Sequence, residues 1–502
     1  MSVLPETLQT ALAGLVAQIA TIRNLCADSR TIGPGDIFLA YPGGLHDGRN
    51  HIADALAKGA ACVIYEAEGY IWNSAWAAPH LAVANLKAQV GLIASYLYGA
   101  PSEHLWMVGV TGTNGKTSVS QWVAQALERA GRRSAVIGTI GNGLVSDKTH
   151  AVSEHTTPDA VTLQTLLRDY QQAGATACAM EVSSHGLDQG RVAGIHFDVA
   201  VFTNLTRDHL DYHGDMQAYA AAKAKLFDTP GLQAAVINVD DPFGRELANR
   251  MAVRPDCRLI RTTCGNQPAE LIAGDLAVTA GGVSFRIHGV YGSAVVESDI
   301  LGAFNISNLM AVIGALIASG VSLTEAAAIV GEQKPVPGRM QTVRAGYSKP
   351  LVVIDYAHTP DALEKALSTV AAIVPDNGRL IAVFGCGGDR DRGKRPQMGA
   401  IAARYADFTI LTSDNPRSED PAGILMDIEV GIKSGTHHGS HYRAIVDRRE
   451  AIQAAVAAAT ARDIVVIAGK GHEDYQIING SKRHFSDLEE ATAALHQWLG
   501  AA

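Results

Sequence analysis

Val108-Gly109-Val110-Thr111-Gly112-Thr113-Asn114-Gly115-Lys116-Thr117-Ser118 runs as an apolar strand into a glycine turn that closes on a lysine and a threonine. A helix pattern follows directly, from Val119 to about Arg129. Strand, glycine turn and helix in that order aim backbone N–H groups and a helix N-terminus at one place, which suits a polyphosphate. Lys116 is expected to reach the terminal phosphates and the Thr117 hydroxyl to ligate Mg²⁺, with Gly112, Thr113, Asn114, Gly115 and Ser118 completing the cradle. The general template has a glycine where this chain has Val110, so the loop is a variant, GTNGKT.

Outward from that loop, the chain of 502 residues is long for one core, and about 150 residues per domain predicts three. With 47% hydrophobic and 18% charged residues it has the composition of an ordinary globular protein. A net charge of −9 without a Lys/Arg block excludes a general nucleic-acid binder. The six cysteines form no CxxC pair and read as free thiols. There is no basic, apolar leader, and runs such as Leu309–Ala318 are too short for a bilayer, so a cytoplasmic protein is expected.

Residues 1–88 alternate short apolar strands (Asp36–Ala40, Ala61–Tyr65, His80–Val83) with a helix near His51–Lys58, a small α/β domain. Polar loops at 28–30 and 43–49 interrupt it, as ligand loops or plain turns. Residues 89–337 continue as βα repeats, which specify a mainly parallel sheet with functional residues at strand carboxyl ends. Glu181 ends one apolar strand, and Asp208, His209, Asp211 and His213 follow another. A carboxylate and an imidazole there can ligate a metal, although a solvated loop also accounts for the histidines. YAAAKAKLF, 219–227, carries Lys223 and Lys225 among alanines; a lysine in an apolar pocket has a lowered pKa and can add CO₂ as a carbamate. Asn305 and Asn308 share one face of the helix after 302, to bind a purine base or to cap the helix. Segment 266–300 reads as hairpins.

PVPGRM, 335–340, marks a hinge and a second boundary. Residues 338–502 form a second doubly wound pattern whose strands end in four charged loops, at 355–358, 389–392, 414–417 and 469–473. Arginines and carboxylates together suit a zwitterion such as an amino acid.

GTNGKT, EVSSHGL, TNLTRDHLDYHG, YAAAKAKLF, the Asn305/Asn308 helix start, PGRM and DYAHTPDAL together resemble the Mur ligases, ATP-dependent amide-forming enzymes of peptidoglycan precursor synthesis, in the family's order from about 25 to 475. The resemblance implies a three-domain α/β fold: a substrate domain, a central ATP domain and a Rossmann-like amino-acid domain. DNPR, 414–417, resembles the loop of members that take meso-diaminopimelate. By the same resemblance Arg390, Asp414, Asn415, Pro416, Arg417, Gly469 and Glu473 hold that amino acid. Ser29, Gly44, Leu45, His46, Thr156, Thr157, Ser183, Gln189 and Arg191 hold UDP-N-acetylmuramoyl-L-alanyl-D-glutamate. Lys223 matches the carbamylated lysine, and one Mg²⁺ falls to Thr117 and Glu181, a second to Glu181, His209 and Lys223. Asn305, Arg339 and Asp355 join the ATP site. The implied reaction activates the D-glutamyl γ-carboxylate as an acyl phosphate, which the amino acid's amine attacks after closure about 335–340 has excluded water. No membrane or nucleic acid takes part, and a monomer is expected. The Asp28-Ser29-Arg30 loop and DNPR speak against a folylpolyglutamate- or cyanophycin-type ligase, and the metal-ligand set after the phosphate loop and the four charged loops speak against a nucleotide-driven switch or motor.

Overall fold

The computed structural model describes residues 4–19, 22–44, 46–147, 150–151, 155–346, 348–434 and 441–500. The chain forms two compact units, one of Met1–Ile272, Gly289–Tyr291 and Met310–Ala326, the other of Ala273–His288, Gly292–Leu309 and Ala327–Ala502.

The first unit contains two sheets. The strands β1 (Leu25–Cys26), β2 (Ile37–Ala40), β3 (Cys62–Glu66) and β4 (His80–Val83) pair in that order, all parallel. The runs IFLA and CVIYE are buried at every position, because a parallel sheet with crossover helices is covered on both faces. Ile37, Leu39 and Ile64 pack on one side with Leu12, Leu86, Val90 and Ile93, while Phe38 and Val63 pack on the other with Ile52 and Ala55. The boundary expected at 88 cuts through the helix Leu86–Leu97, whose apolar face belongs to this core together with Ala160 and Val161.

The second sheet follows: β5 (Trp106–Thr111), β6 (Ser134–Gly138), β7 (Gly141–Leu144), β8 (Ala177–Glu181), β9 (Val199–Phe202), β10 (Ala234–Asn238) and β11 (Arg258–Thr263). Their order is β11-β10-β9-β5-β8-β6-β7, parallel except for the β6–β7 hairpin. The central strand β5 therefore lies between β8 and β9, and the carboxyl ends of all three open at one edge. Side-chain caps start the surrounding helices: Asp159 accepts from the N–H groups of Val161 and Thr162, and Asp241 from those of Phe243 and Gly244.

After β12 (Leu271–Thr279), β13 (Gly282–Gly289) and β14 (Gly292–Ser298), the strands the alternation of 266–300 predicts, the second unit is built on β15 (Gln341–Val343), β16 (Leu351–Asp355), β17 (Leu380–Phe384), β18 (Phe408–Leu411), β19 (His441–Ala444) and β20 (Ile464–Ala468). They lie in the order β15-β16-β20-β17-β18-β19, parallel except for β15, and a hairpin β21 (Tyr475–Ile478) and β22 (Ser481–His484) stands apart. Helices Pro360–Ala371, Lys394–Tyr405 and Pro421–Ser434 cover one face and Arg448–Ala458 and Asp487–Gln497 the other. Two of them meet backbone to backbone: a Cβ on Gly431 would lie 1.7 Å from the Pro396 carbonyl oxygen, and one on Gly399 2.2 Å from that of Ile428. The PGRM turn is packed into this unit, with Val336 and Met340 buried and the Gly338 carbonyl accepting from the Tyr356 N–H at 2.9 Å. Among the described residues no helix is long and apolar enough to cross a membrane, and all six cysteines are free.

Candidate active site

The glycine turn lies where the sequence predicts, between β5 and the helix Lys116–Arg129. Gly112 (φ 149°) and Gly115 (φ 86°) take backbone angles that L side chains resist, and a Cβ on Gly112 would meet Thr203 Oγ1 at 2.0 Å. The loop's shape is held from the end of β9: the Thr113 N–H donates to the Asn204 carbonyl (2.8 Å), the Asn114 N–H to Asn204 Oδ1 (3.0 Å), and Thr203 Oγ1 to the Asn114 carbonyl (2.6 Å). Lys116 Nζ donates to the carbonyls of Gly112 (3.0 Å) and Thr113 (2.8 Å), across the concavity. Ser118 is buried in the helix behind it.

Glu181, 1% exposed, stands at the end of the neighbouring β8. Its Oε2 accepts from Thr117 Oγ1 at 2.9 Å and Thr139 Oγ1 at 3.3 Å, and its Oε1 from the Thr139 N–H at 2.7 Å. Gly138 makes the space, since a Cβ there would sit 2.3 Å from Glu181 Oε1. Thr139 and Gly138 escaped the sequence reading, and only knowing that β6 lies beside β8 would have revealed them.

Lys223 is 1% exposed on the helix Met216–Ala224, and its Nζ donates to the Gly112 carbonyl at 2.7 Å and lies 4.5 Å from the Tyr219 ring centroid. Burial pushes its pKa well below the ordinary lysine value, helped by nearby Lys116 and opposed by Asp208. Lys225, two residues on, is a surface ion pair with Asp188 (2.7 Å). The alternation within YAAAKAKLF thus sends one lysine inward and one outward. His209 is exposed, 3.4 Å from Asp208, with its ring 4.8 Å from that of His185 and 6.0 Å from that of Tyr219. Among the described residues no three His, Cys, Asp or Glu side chains are gathered as a metal centre. The oxygens that do meet, Thr117 Oγ1 and Glu181 Oε2, are the hard donors Mg²⁺ selects.

Behind Glu181 its own carbonyl lies 3.0 Å from Thr157 Oγ1, which is also 3.0 Å from Ser183 Oγ. Arg191 Nη1 donates to the Thr157 carbonyl (2.8 Å), its remaining nitrogens grip Gln189 Oε1, and Thr156 Oγ1 is 3.1 Å from Thr139 Oγ1. Thr156, Thr157, Ser183, Gln189 and Arg191 are therefore one cluster beside the phosphate loop. In the N-terminal sheet Ser29 offers its carbonyl to Lys58 (2.8 Å), and the loop around exposed Gly44 and His46 closes by the Gly43 N–H donating to the His46 carbonyl (2.7 Å). Leu45 lies outside the described residues.

In the second unit the four charged loops follow β16, β17, β18 and β20, neighbouring parallel strands, and so share one edge. Asp355 accepts from the N–H groups of Met340 (2.8 Å) and Ala357 (2.9 Å), and burial raises its carboxyl above the usual range against the pull of Arg339. The Arg339 guanidinium lies 4.9 Å from the Tyr356 ring centroid. Asn305 Nδ2 donates to the Leu301 carbonyl (2.7 Å) and Asn305 Oδ1 accepts from Asn308 Nδ2 (2.9 Å), so both asparagines serve the helix start.

DNPR is clamped by the β21 hairpin. Gln476 Nε2 donates to the Asp414 carbonyl (2.7 Å), the Ile477 N–H to Asn415 Oδ1 (2.9 Å), the Arg417 N–H to the Ile477 carbonyl (3.0 Å) and the Asn479 N–H to the Arg417 carbonyl (2.7 Å). Pro416 is buried, Arg417 adopts φ 52° with Nη1 on the Gly388 carbonyl (2.8 Å), and Arg390 is exposed. Glu473 Oε2 accepts from Asn415 Nδ2 at 2.9 Å, and Gly469 (φ 118°) passes within Cβ contact of Asp414. Lys470, fully buried between Gly469 and Gly471, was missed, because a lysine in a Gly-rich loop looks solvent-facing in sequence.

Three Mur ligase family models match the chain: "Mur ligase family, catalytic domain" at residues 21–97, "Mur ligase middle domain" at 110–316 and "Mur ligase, glutamate ligase domain" at 338–471. The chain is 51% identical over 478 residues to the UDP-N-acetylmuramoyl-L-alanyl-D-glutamate--2,6-diaminopimelate ligase of Chromobacterium violaceum, with 95% of each chain covered. It is 52% identical over 483 residues to the ligase of the same name from Ectopseudomonas mendocina, with 96% of each covered. A solved structure of a ligase of that name matches with a TM-score of 0.71 at 40% identity over 95% of each chain.

Proposed function

The chain belongs to the Mur ligase family, and from that premise we propose that it joins meso-diaminopimelate to the D-glutamyl γ-carboxylate of UDP-N-acetylmuramoyl-L-alanyl-D-glutamate in the cytoplasm, as a monomer with one domain break after the helix Leu86–Leu97 and another near 337. It is an ATP-dependent amide ligase. The observation that carries the detailed reading is the buried Lys223 amine, set on the Gly112 carbonyl of the phosphate loop at 2.7 Å. Burial favours the uncharged amine, the form that takes up CO₂, and the carbamate would supply an anionic oxygen at the phosphate loop.

A carboxylate is a poor electrophile, and the chain's task is to bring two anions together. The substrate carboxylate attacks the γ-phosphorus, ADP departs, and an acyl phosphate forms. Lys116 and the N–H groups at the start of its helix bind the phosphate oxygens as charge builds on them. Thr117, Glu181, His209 and the Lys223 carbamate are the residues that would hold Mg²⁺, which when bound neutralises charge between the two anions. The diaminopimelate amine, having lost its proton, then attacks the carbonyl carbon, and the C–O bond to phosphate breaks.

Thr156, Thr157, Ser183, Gln189 and Arg191, with Ser29, Gly44, Leu45 and His46, are assigned to the nucleotide-sugar peptide. Asn305, Arg339 and Asp355 are assigned to the nucleotide. Arg390, Asp414, Asn415, Pro416, Arg417, Gly469 and Glu473 are assigned to the amino acid, with Arg417 on its distal carboxylate. The test is ADP release with the nucleotide-sugar peptide and each of meso-diaminopimelate, L-lysine and L-ornithine. Turnover with diaminopimelate alone is expected; equal turnover with lysine would sink the assignment of DNPR.

A further inference from the structure

Lys470 is a fully buried charge on the edge that carries DNPR: its side chain has 0% exposure, as has that of Arg448, which is paired with Asp487. Burying an ammonium is expensive, and an apolar side chain of similar length would fill the same space without that cost. What its Nζ faces is therefore informative. It donates to the Tyr475 carbonyl at 2.6 Å and to Asn415 Oδ1 at 3.1 Å, and lies 3.5 Å from both Asp414 Oδ1 and Glu473 Oε2. The flanking glycines explain how it gets there. Gly469 (φ 118°) and Gly471 (φ 56°) reverse the chain on either side, and a Cβ on Gly471 would strike Tyr356 at 2.7 Å.

We propose that Lys470 is a positioning residue for the amino-acid substrate, acting through Asn415 and Glu473, an inference that rests on the substrate reading above. An asparagine amide has two nearly symmetrical orientations, and only one is compatible with these neighbours. Asn415 Oδ1 faces two donors, Lys470 Nζ and the Ile477 N–H, which turns Nδ2 onto Glu473 Oε2. The same ammonium stands between two carboxylates, so Asp414 and Glu473 can sit together without forcing each other apart. Lys470 and Arg448 face three carboxylates, Asp414, Glu473 and the Asp487 that pairs with Arg448, so one negative charge of the cluster is unmet, and Asp414 Oδ1 is buried without a hydrogen-bond donor among the described residues. That arrangement suits the ammonium of an incoming amino acid, and Lys470 sets the geometry it meets.

The test is Lys470→Met measured at saturating concentrations of the other two substrates. A positioning role raises KM for diaminopimelate by about tenfold or more, leaves KM for ATP and for the nucleotide-sugar peptide unchanged, and moves kcat by less than about threefold. Adding Lys470→Met to a variant carrying both Asn415→Ala and Glu473→Gln then costs little beyond that variant alone. All three KM values rising together, an unchanged KM for diaminopimelate, or penalties that simply add would each overturn the proposal. If Lys470→Met is not recovered folded, Lys470→Gln, which keeps a donor for Asn415, decides the same split with a smaller rise. Wild-type turnover in the amino-acid panel judges the substrate reading separately, and the split is then read with whichever amino acid the wild type uses.

Discussion

Thr117, in the first turn of the helix that follows β5, and Glu181, the last residue of the neighbouring β8, are joined by a 2.9 Å hydrogen bond from the threonine hydroxyl to the carboxylate. One residue follows a glycine turn and the other ends an unbroken apolar strand, so the pairing exists only once β5 and β8 lie side by side. It puts a buried negative charge within one bond of the phosphate loop.

Thr117→Val removes that donor while keeping the side chain's shape. Because Thr139 still supplies two bonds to Glu181, the expected loss of stability is only about 1–2 kcal/mol. Activity should fall about 10²-fold, with a higher Mg²⁺ concentration needed for half-maximal rate. A Mg²⁺ titration of ADP release, alongside a thermal melt, checks both.

Gly138→Ala tests the space around the same carboxylate. The new Cβ would lie 2.3 Å from Glu181 Oε1 and 2.9 Å from its Cγ and Cδ, so the side chain must move. A displaced carboxylate is expected to lower kcat by about tenfold to 10²-fold while the protein still folds. Steady-state kinetics against Gly138→Ser, which adds further bulk, should show the larger residue doing worse.

Lys223→Ala should abolish ligation, lowering kcat by at least about 10²-fold. In wild-type protein stripped of CO₂, bicarbonate should restore activity; in the variant it should restore little. A ¹³C NMR signal from labelled CO₂ on the wild type, absent in Lys223→Ala, checks the chemistry independently of turnover. Full activity in Lys223→Ala would make the carbamate assignment wrong.

His472 gives a pH dependence. Burial, reinforced by Arg339, lowers its pKa from 6.5 to about 4. Between those values the unfolded chain binds a proton that the folded chain does not, so stability falls as pH drops from about 6.5 towards 4. His472→Gln cannot take up that proton. Its melting temperature should decline less than that of the wild type between pH 7 and pH 5, a difference read from paired melts.

Much of this was legible because local chemistry and fold agree. GTNGKT needs positive φ at two glycines and has them, and the Val/Ile/Ala runs are buried on both faces as strands of a parallel sheet must be. The inward and outward lysines of YAAAKAKLF separate because one helix face is apolar. Other features depend on neighbours that no linear spacing reveals. Thr139 and Gly138 matter through a strand that joins the sheet 40 residues later. The edge strand His441–Ala444 carries polar residues because one side is open, so the apolar signal fails there. A boundary at 88, where the strand alternation of the first domain ends, cuts the helix Leu86–Leu97, whereas its buried face ties it to the N-terminal sheet. Asn305 had two readings from sequence, and its bonds to Leu301 and Asn308 could not be read from spacing alone.

The close seat of Lys394–Tyr405 against Pro421–Ser434 bears on how this scaffold can change. With Gly399 and Gly431 each facing a carbonyl oxygen at a distance no side chain tolerates, these helices have almost no room to slide. One covering face of the sheet that carries DNPR is thereby fixed by two residues outside the four charged loops. Variation in which amino acid is handled is free to accumulate in the loops above, and an engineer seeking a new reagent should change the loops and leave this glycine pair alone.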